Sequence, residues 1–329
     1  MKRLIPVLLF LVIFAQILNS QPVVSQGKPF AEIFTNFHYD LDDTSKTTGF
    51  GLDRVYVGYN YTPEGNFSAM IILNLGNPED LAAGSVPKRY AYFREASVKY
   101  TKDRLTLNFG MVNTRFEDFQ QGFWGKRYLG PEYQAIYGYC SVADLGVVID
   151  YQLNDFIKLN FSLLNGEGYT NVQVDNSLRT AIGIIINTPN NAVFKIYGDI
   201  NKPGGICQTT LLAFAGFKND RFSFGAEASY KSNLDSLYGH NVWGISGTGS
   251  IFLNEKSELF GRYDYTASVV LPGDDIQWDH GKDETYFVAG IQHIFSNNLK
   301  MALNYRQTNP YESGKQTTNA IYLNASFRF

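Results

Sequence analysis

The sequence predicts an all-β fold, a transmembrane antiparallel β-barrel of about 16 strands whose third external loop folds inward. Three observations lead to this prediction. Apolar and polar residues alternate along many segments, which is the pattern of strands with one apolar and one polar face. Tight turns and long polar loops alternate between these segments, as they do in outer-membrane barrels. Aromatic residues make up 15% of the chain and fall near both ends of the strands, where such barrels carry aromatic girdles.

The first 25 residues predict a secretory signal peptide, so residues 26–329 are expected to form the barrel. Two basic residues precede an apolar run at Leu4–Leu18, and small residues follow it. This is the arrangement of a cleavable export signal, and cleavage after Ser20 is a second option. A retained membrane anchor is the alternative, but the apolar run is short for a span. Export and two-faced strands indicate the outer membrane of a Gram-negative bacterium, and an even strand number places both termini in the periplasm.

Apolar residues at every second position place the strands along the chain. The first strand sets Ile33 and Phe37 against Glu32 and Asn36. In chain order the strands are predicted near 30–39, in a segment ending at 61, and near 66–75, 89–101, 104–112, 145–151, 157–163, 178–189, 191–201, 207–218, 221–231, 241–254, 257–267, 284–296, 298–308 and 318–329. Connections such as 63–65, 102–103 and 296–298 are tight. The long ones are the polar loop 40–49, the loop that contains Pro78 and Pro87, and 113–141, 170–177, 232–240, 268–283 and 309–317. A soluble sandwich has no reason to sort its connections so regularly.

The last strand shows the pattern most clearly. One face carries Ile321, Leu323, Ala325, Phe327 and Phe329, and the other carries Tyr322, Asn324, Ser326 and Arg328. A terminal strand that ends in Phe resembles the closing strand of outer-membrane barrels, where that residue belongs to the signal read by the barrel assembly machinery. We therefore expect Phe329 to serve assembly, and the strand to pair with the first strand and close the barrel.

Charged residues on the polar faces are expected to line an aqueous lumen, because about sixteen strands enclose a channel. The inward positions include the basic residues Arg54, Lys99, Arg104, Lys158, Lys195, Lys231, Arg262, Arg306 and Arg328. Acidic residues are interleaved with them, and this mixture, slightly basic, predicts a mild preference for anions. Any single charge in such a lumen is equally well explained as solvated or paired.

The segment 113–141 is the longest connection and the third long one. Loops of this length without regular structure are usually functional, and porins resemble this arrangement because their third external loop narrows the pore. The residues expected at the constriction are Arg115, Glu117, Asp118, Trp124, Lys126 and Arg127, with Trp124 as an apolar anchor among the charged side chains. Alternatively the segment forms a lid over the mouth or contains an extra hairpin.

A family resemblance accompanies this segment. The runs NFGMVNTRFEDF, RYLGPE, DLGVVIDYQLN and LNFSLLNGEGY resemble the phosphate-selective porin O/P family, mainly over residues 90–170. The resemblance implies a porin of sixteen strands, expected to be a homotrimer, that passes small anionic solutes. Members selective for phosphate line the pore with a ladder of Arg and Lys, whereas acids match the basic residues here, so the resemblance does not extend to phosphate specificity.

Other partners and chemistries receive little support. A net charge of −3 gives no basic character for nucleic acid, and the four His have no metal-like spacing. No cofactor is expected. Cys140 and Cys207 form a disulfide only if an inward loop brings them together.

Two other classes remain as alternatives: a barrel enzyme of the phospholipase kind and a plugged structural or adhesin barrel. A phospholipase needs a Ser–His pair that faces lipid near the outer leaflet. None of the four His combines that orientation with that height, so the sequence predicts no enzyme.

Overall fold

A computed structural model describes residues 27–42, 48–76 and 90–329. The predicted signal peptide, 1–25, lies outside the described residues. No helix within the described ranges is long and apolar enough to cross a membrane.

Sixteen strands form one closed antiparallel barrel, which confirms the predicted fold class and strand number. The strands are β1 (Lys28–Asp40), β2 (Thr48–Tyr61), β3 (Phe67–Gly76), β4 (Tyr90–Lys102), β5 (Leu105–Asn113), β6 (Ala143–Gln152), β7 (Ile157–Leu164), β8 (Arg179–Asn187), β9 (Ala192–Asn201), β10 (Gln208–Lys218), β11 (Phe222–Ser232), β12 (Val242–Phe252), β13 (Ser257–Ser268), β14 (Glu284–Ile294), β15 (Leu299–Pro310) and β16 (Thr318–Arg328). Each strand pairs with its neighbours in sequence, and β16 pairs with β1. The closing register sets Phe327 opposite Ile33 and Asn324 opposite Asn36.

Strict alternation explains why these segments form a barrel wall. On β5, Phe109 is 67% exposed on the outer face, whereas the neighbouring Asn108 is 4% exposed inside. An outer face of large apolar side chains is stable only against lipid, and the polar faces meet inside.

The connections divide by length between the two ends of the barrel. Tight turns, such as those at Asp103 and Asn191 with φ of 51° and 63°, lie at what we call the turn end. The longer connections lie at the loop end. Two helices are inserted between β5 and β6: α1 (Asp118–Trp124) and α2 (Tyr133–Ile136).

In the described strands two β-bulges interrupt the alternation, one beside Arg54 in β2 and one at Arg94 in β4. Phe34 pairs with Arg54, but the next residue of β1 pairs with Leu52, so Asp53 is an extra residue in β2. In β4 the register shifts in the same way around Arg94. Bulges change the direction in which side chains point. As a result Asp53 and Arg54 both face the lumen, where the Asn36 amide donates a hydrogen bond to Asp53.

Candidate functional site

The segment 114–142, which we call the inner loop, crosses the interior of the barrel. Its side chains pack against inward-facing residues from β8 round to β16, and Tyr128 also contacts Phe34 of β1. The residues in these apolar contacts include Phe116, Tyr133, Tyr139 and Trp124 of the loop, and Tyr197, Leu212, Phe214, Val242, Phe260 and Val288 of the wall. Cavities remain between the loop and β1–β4.

Glycines in the wall let the inner loop approach closely. A Cβ atom at Gly216 would lie 2.7 Å from the ring of Phe123, and one at Gly244 would lie 2.2 Å from the hydroxyl of Tyr133. Neither distance is compatible with a larger residue. The small residues of β10 and β12 therefore form the seats for two aromatic rings of the loop.

Buried lysines fasten the loop backbone to the wall. Lys195 of β9 donates hydrogen bonds to the carbonyl oxygens of Arg115 (2.8 Å) and Phe116 (2.7 Å) and to Oε1 of Gln120 (2.9 Å). Lys231 of β11 donates to the carbonyl oxygen of Tyr139 at 2.8 Å. An ammonium group satisfies several acceptors at once, and bonds from charged donors are stronger than neutral ones.

An arginine and a further lysine complete this attachment. Arg262 of β13 donates to the carbonyl oxygen of Pro131 at 2.8 Å and forms an ion pair with Asp264. Lys126 of the loop donates to Ser250 at 2.9 Å and forms a 3.0 Å ion pair with Glu258. These cations are used to hold the loop and are not presented to the lumen.

The six residues predicted at the constriction therefore have different positions. Trp124, Lys126 and Glu117 are buried, with exposures of 6%, 3% and 2%. The Arg115 guanidinium forms ion pairs with Asp150, at 2.9 Å, and with Asp118. Asp118 and Arg127 do line a cavity in the lumen. Trp124 packs against Phe260 of the wall as an apolar anchor of the loop, whereas Lys126, expected to line the pore, points from the loop into the wall instead.

The predicted lumen residues also separate into groups. Arg54 and Arg306 line a lumen cavity. Arg262 is a buried attachment of the loop, as described above. Lys158 lies 3.8 Å from Asp150, and Arg104 donates to the carbonyl oxygen of Leu153 at the turn end. Lys99 lies opposite Ser68 in the β3–β4 pair.

Three arginines from separate elements gather in the open part of the lumen. Arg54 of β2, Arg94 of β4 and Arg127 of the inner loop all act on the carboxyl of Glu117. Burial raises the pKa of Glu117, and these three guanidinium groups oppose that rise by favouring the charged form. The Arg54 guanidinium also donates to the Tyr56 hydroxyl at 3.4 Å. We call Arg54, Arg94 and Arg127 the arginine cluster.

The cluster lies between cavities that follow one another along the lumen. A middle cavity of about 360 Å³ includes Arg54, Arg127 and Arg306. A turn-side cavity of about 290 Å³ includes Arg94, Arg127 and Lys300. Because Arg127 lines both cavities, it marks the junction between them. Alternation alone places Arg94 on the lipid-facing side of β4, and the bulge turns it toward the lumen.

Both cysteines are free, so the proposed disulfide is absent. Cys140 is buried at the end of the inner loop, where the Arg179 guanidinium donates to its sulfur at 2.8 Å. Burial raises the pKa of the Cys140 thiol to about 11. Cys207 is exposed before β10. The loop does fold inward, but it brings Cys140 to Arg179 of β8 and not to Cys207.

A serine and a histidine meet on the outer face. Ser257 and His293 are opposite one another in the β13–β14 pair, and the serine hydroxyl lies 2.8 Å from Nδ1 of His293. They are at the turn end, and no third side chain among the described residues is hydrogen-bonded to His293. A nucleophilic serine needs its base oriented by a further group. Within the described ranges, no group of three or more His, Cys, Asp or Glu could hold a metal ion.

Glu132 gives the attachment of the loop a pH dependence. It is 4% exposed, and burial together with the Glu117 carboxyl raises its pKa to about 7, against the influence of Arg262 and Arg127. The native state therefore holds a proton that the unfolded chain releases from about pH 4.5 upward. Stability should fall by up to about 3 kcal/mol as the pH rises from 4.5 to 7.

We expect a Glu132→Gln variant to lose this component of the pH dependence and to melt at a higher temperature than wild type at pH 8. The temperature at which the folded band is lost on gels, determined after incubation at pH 5 and at pH 8, measures the melting temperature and its pH dependence. Glu312→Gln, a change of the same kind at an exposed carboxyl 2.7 Å from Lys315, should leave the wild-type difference in place. If Glu132→Gln melts like wild type at both values, Glu132 carries its charge at neutral pH.

The fold is similar to those of solved outer-membrane proteins. An anion-selective porin from Comamonas acidovorans is 10% identical, with a TM-score of 0.69 and coverage of 93% of this chain and 100% of that chain. OmpF of Salmonella typhi, in complex with daunomycin, is 10% identical, with a TM-score of 0.67 and coverage of 93% and 98%. A trimer form of OmpT, an outer membrane protein of Vibrio cholerae, is 14% identical, with a TM-score of 0.64 and coverage of 93% and 99%. No protein-family model and no curated protein matches the sequence. At these identities the likeness shows the fold alone.

Proposed function

We propose that this protein is an outer-membrane porin, a water-filled channel through which small hydrophilic solutes diffuse passively with a mild preference for anions. The observation that carries the proposal is the arginine cluster. Arg54, Arg94 and Arg127 converge where the open lumen passes between the inner loop and β1–β4. Fixed positive charge at a narrow point of a pore attracts anions and repels cations.

The remaining charges make the preference mild. Many acidic residues of the wall form ion pairs with basic residues of the wall or of the loop, as Asp150 does with Arg115 and Asp264 does with Arg262. Asp53 faces the same open space as the cluster, as does Asp118, which also forms ion pairs with Arg115 and Lys195. Their negative charge reduces the attraction for anions without reversing it.

The likeness to outer-membrane proteins supports the corresponding location, with lipid around the apolar outer face. The turn end then faces the periplasm, together with both termini, and residues 1–25 direct export. Phe329, whose backbone pairs with Ala31, is the residue through which the barrel assembly machinery recognises the chain. A homotrimer is supported by the trimer form of the similar OmpT. The O/P resemblance over residues 90–170 supports anion preference and does not extend to phosphate specificity.

The test is single-channel recording in planar bilayers with a KCl gradient. We expect stepwise conductance and a reversal potential of the sign given by chloride preference. Cation preference would contradict the anion assignment. A folded barrel without conductance would favour a plugged structural barrel or an enzyme. The Ser257–His293 pair makes phospholipid hydrolysis by the purified protein the corresponding assay for the enzyme.

A further inference from the structure

A third cavity lies on the loop side of the arginine cluster, and we call it the loop-side vestibule. Its volume is about 580 Å³. It is bounded by the β2–β4 wall, the end of the inner loop and the connection between β7 and β8. The lining side chains that can form hydrogen bonds are Arg54, Asn74, Tyr92, Ser141, Glu167, Tyr169, Thr170, Asn171 and Lys282.

The vestibule differs from the arginine cluster in its chemistry. Most of its lining groups are amides, hydroxyls and phenols, which bind neutral polar groups. Asn74 is only 5% exposed and donates a hydrogen bond from Nδ2 to the Tyr169 hydroxyl at 3.3 Å. Tyr169 packs edge-on against Tyr92, with ring centroids 6.3 Å apart. These contacts hold the amide and the two phenols in fixed positions around one space.

Two acceptors in this wall need a hydrogen-bond donor. Oδ1 of Asn74 and Oε2 of Glu167 are buried and have no partner among the described residues. Buried acceptors are costly unless a donor reaches them. Neither oxygen is accessible from the vestibule, so the hydroxyl groups of a solute would meet the other amides, phenols and hydroxyls of the lining. These groups form hydrogen bonds with hydroxyl groups in both directions, whereas chloride has no proton to give.

The vestibule is continuous with the arginine cluster through Arg54. This side chain lines both the vestibule and the middle cavity, where Arg127 and Arg306 also lie. A solute in the vestibule can therefore place a negatively charged group at Arg54 while its body remains among the amides and phenols. The vestibule and the arginine cluster together therefore favour a solute that carries both neutral polar groups and a negatively charged group.

We propose that the vestibule and the arginine cluster together form a binding site for a monosaccharide with one anionic substituent, a carboxylate or a phosphate. The proposal rests on the proposed channel function and names its preferred solute class. Sugar hydroxyls form hydrogen bonds with the amides and phenols of the lining, where Asn74 holds Tyr169 in place, and the anionic group pairs with Arg54. The solute would then leave the vestibule with its charge passing along Arg127.

The experiment is the block of single-channel chloride current by added solutes. The probes are glucuronate, glucose 6-phosphate, glucose, acetate and inorganic phosphate. We expect each sugar anion to block at a concentration about tenfold lower than its simple counterpart, acetate or phosphate, and lower than glucose. Comparing the two sugar anions identifies whether a carboxylate or a phosphate is preferred. Equal block by a sugar anion and its simple counterpart would overturn the proposal.

Variants separate this proposal from the channel function itself. Asn74→Ala should weaken the block by sugar anions more than the block by inorganic phosphate, and Tyr169→Phe provides a second, milder change if the first impairs folding. Asn309→Ala, at an exposed position on the outward face of β15, is the matched control. If neither vestibule variant changes the block while chloride preference persists, the sugar site is wrong and the porin stands. If the wild type shows no conductance or prefers cations, the proposed function itself fails.

Discussion

A Lys195→Met variant is expected to release the inner loop from the wall. Methionine keeps the length of the side chain but removes its charge and all three of its hydrogen bonds. The carbonyl oxygens of Arg115 and Phe116 and the Gln120 amide oxygen would then lack the donor that holds them at 2.7–2.9 Å. Leaving buried acceptors unsatisfied should cost the loop attachment about 3 kcal/mol or more.

Release of the loop should have two measurable consequences. Single-channel conductance should rise and become noisier, because the loop no longer narrows the lumen. Trypsin should also cut the reconstituted protein after Arg115, Lys126 or Arg127, which are all engaged or half-buried in the native loop.

Lys158→Met is the matched control. Its side chain is 37% exposed, and its ammonium lies 3.8 Å from Asp150. The same substitution there should alter neither conductance nor trypsin sensitivity, because a partly exposed lysine at 3.8 Å contributes little to a carboxylate that Arg115 already binds. Equal behaviour of the two variants would show that the apolar seats of the loop suffice without Lys195.

The barrel could be predicted from the sequence because the residue pattern of each strand depends on that strand alone. Each strand must present an apolar face to lipid, so the pattern repeats every second residue whatever the neighbours are. Phe327 and Asn324 illustrate this, since alternation predicts Phe327 on the outer face and Asn324 on the inner face, and both lie there. The inner loop was indicated by its length, since 113–141 is the longest connection between the predicted strands.

The division of the basic residues could not be predicted in the same way. Alternation places Lys195, Lys231 and Arg262 in the lumen, and all three do face inward. Whether such a cation meets solvent or a loop carbonyl depends on contacts between residues far apart in sequence. Lys195, for example, reaches the Phe116 carbonyl across 79 positions. The sequence carries no signal for such a contact.

The bulges set a second limit. Period-two counting assigns neighbouring residues to opposite faces, so placing Glu95 inside turns Arg94 toward lipid. The extra residue in β4 removes that conflict. A charged residue on a predicted lipid-facing position is itself a signal, because such a position is costly for arginine. Arg94 could have been suspected on that ground.

An Arg127→Ala variant should reduce the anion preference more than any other single change of charge in the barrel. Arg127 lies where the middle and turn-side cavities meet, and within the described ranges no carboxylate lies in ion-pair distance of it. A unit charge about 7 Å from a permeating ion in water contributes about 0.6 kcal/mol, with opposite signs for anions and cations. After screening by salt over a Debye length of about 10 Å, the anion-to-cation permeability ratio should fall roughly threefold.

Reversal potentials in a KCl gradient measure this ratio directly. Arg127→Lys keeps the charge and should keep most of the preference, whereas Arg104→Ala removes an equal charge at the exposed turn end and should change the ratio little. If selectivity depended on the total charge of the lumen, Arg127→Ala and Arg104→Ala would change the permeability ratio equally. A large effect of Arg127→Ala alone, restored by Arg127→Lys, would instead locate the selective point at the arginine cluster. The reason is that a Coulomb interaction in salt solution acts only over about one Debye length, about 10 Å.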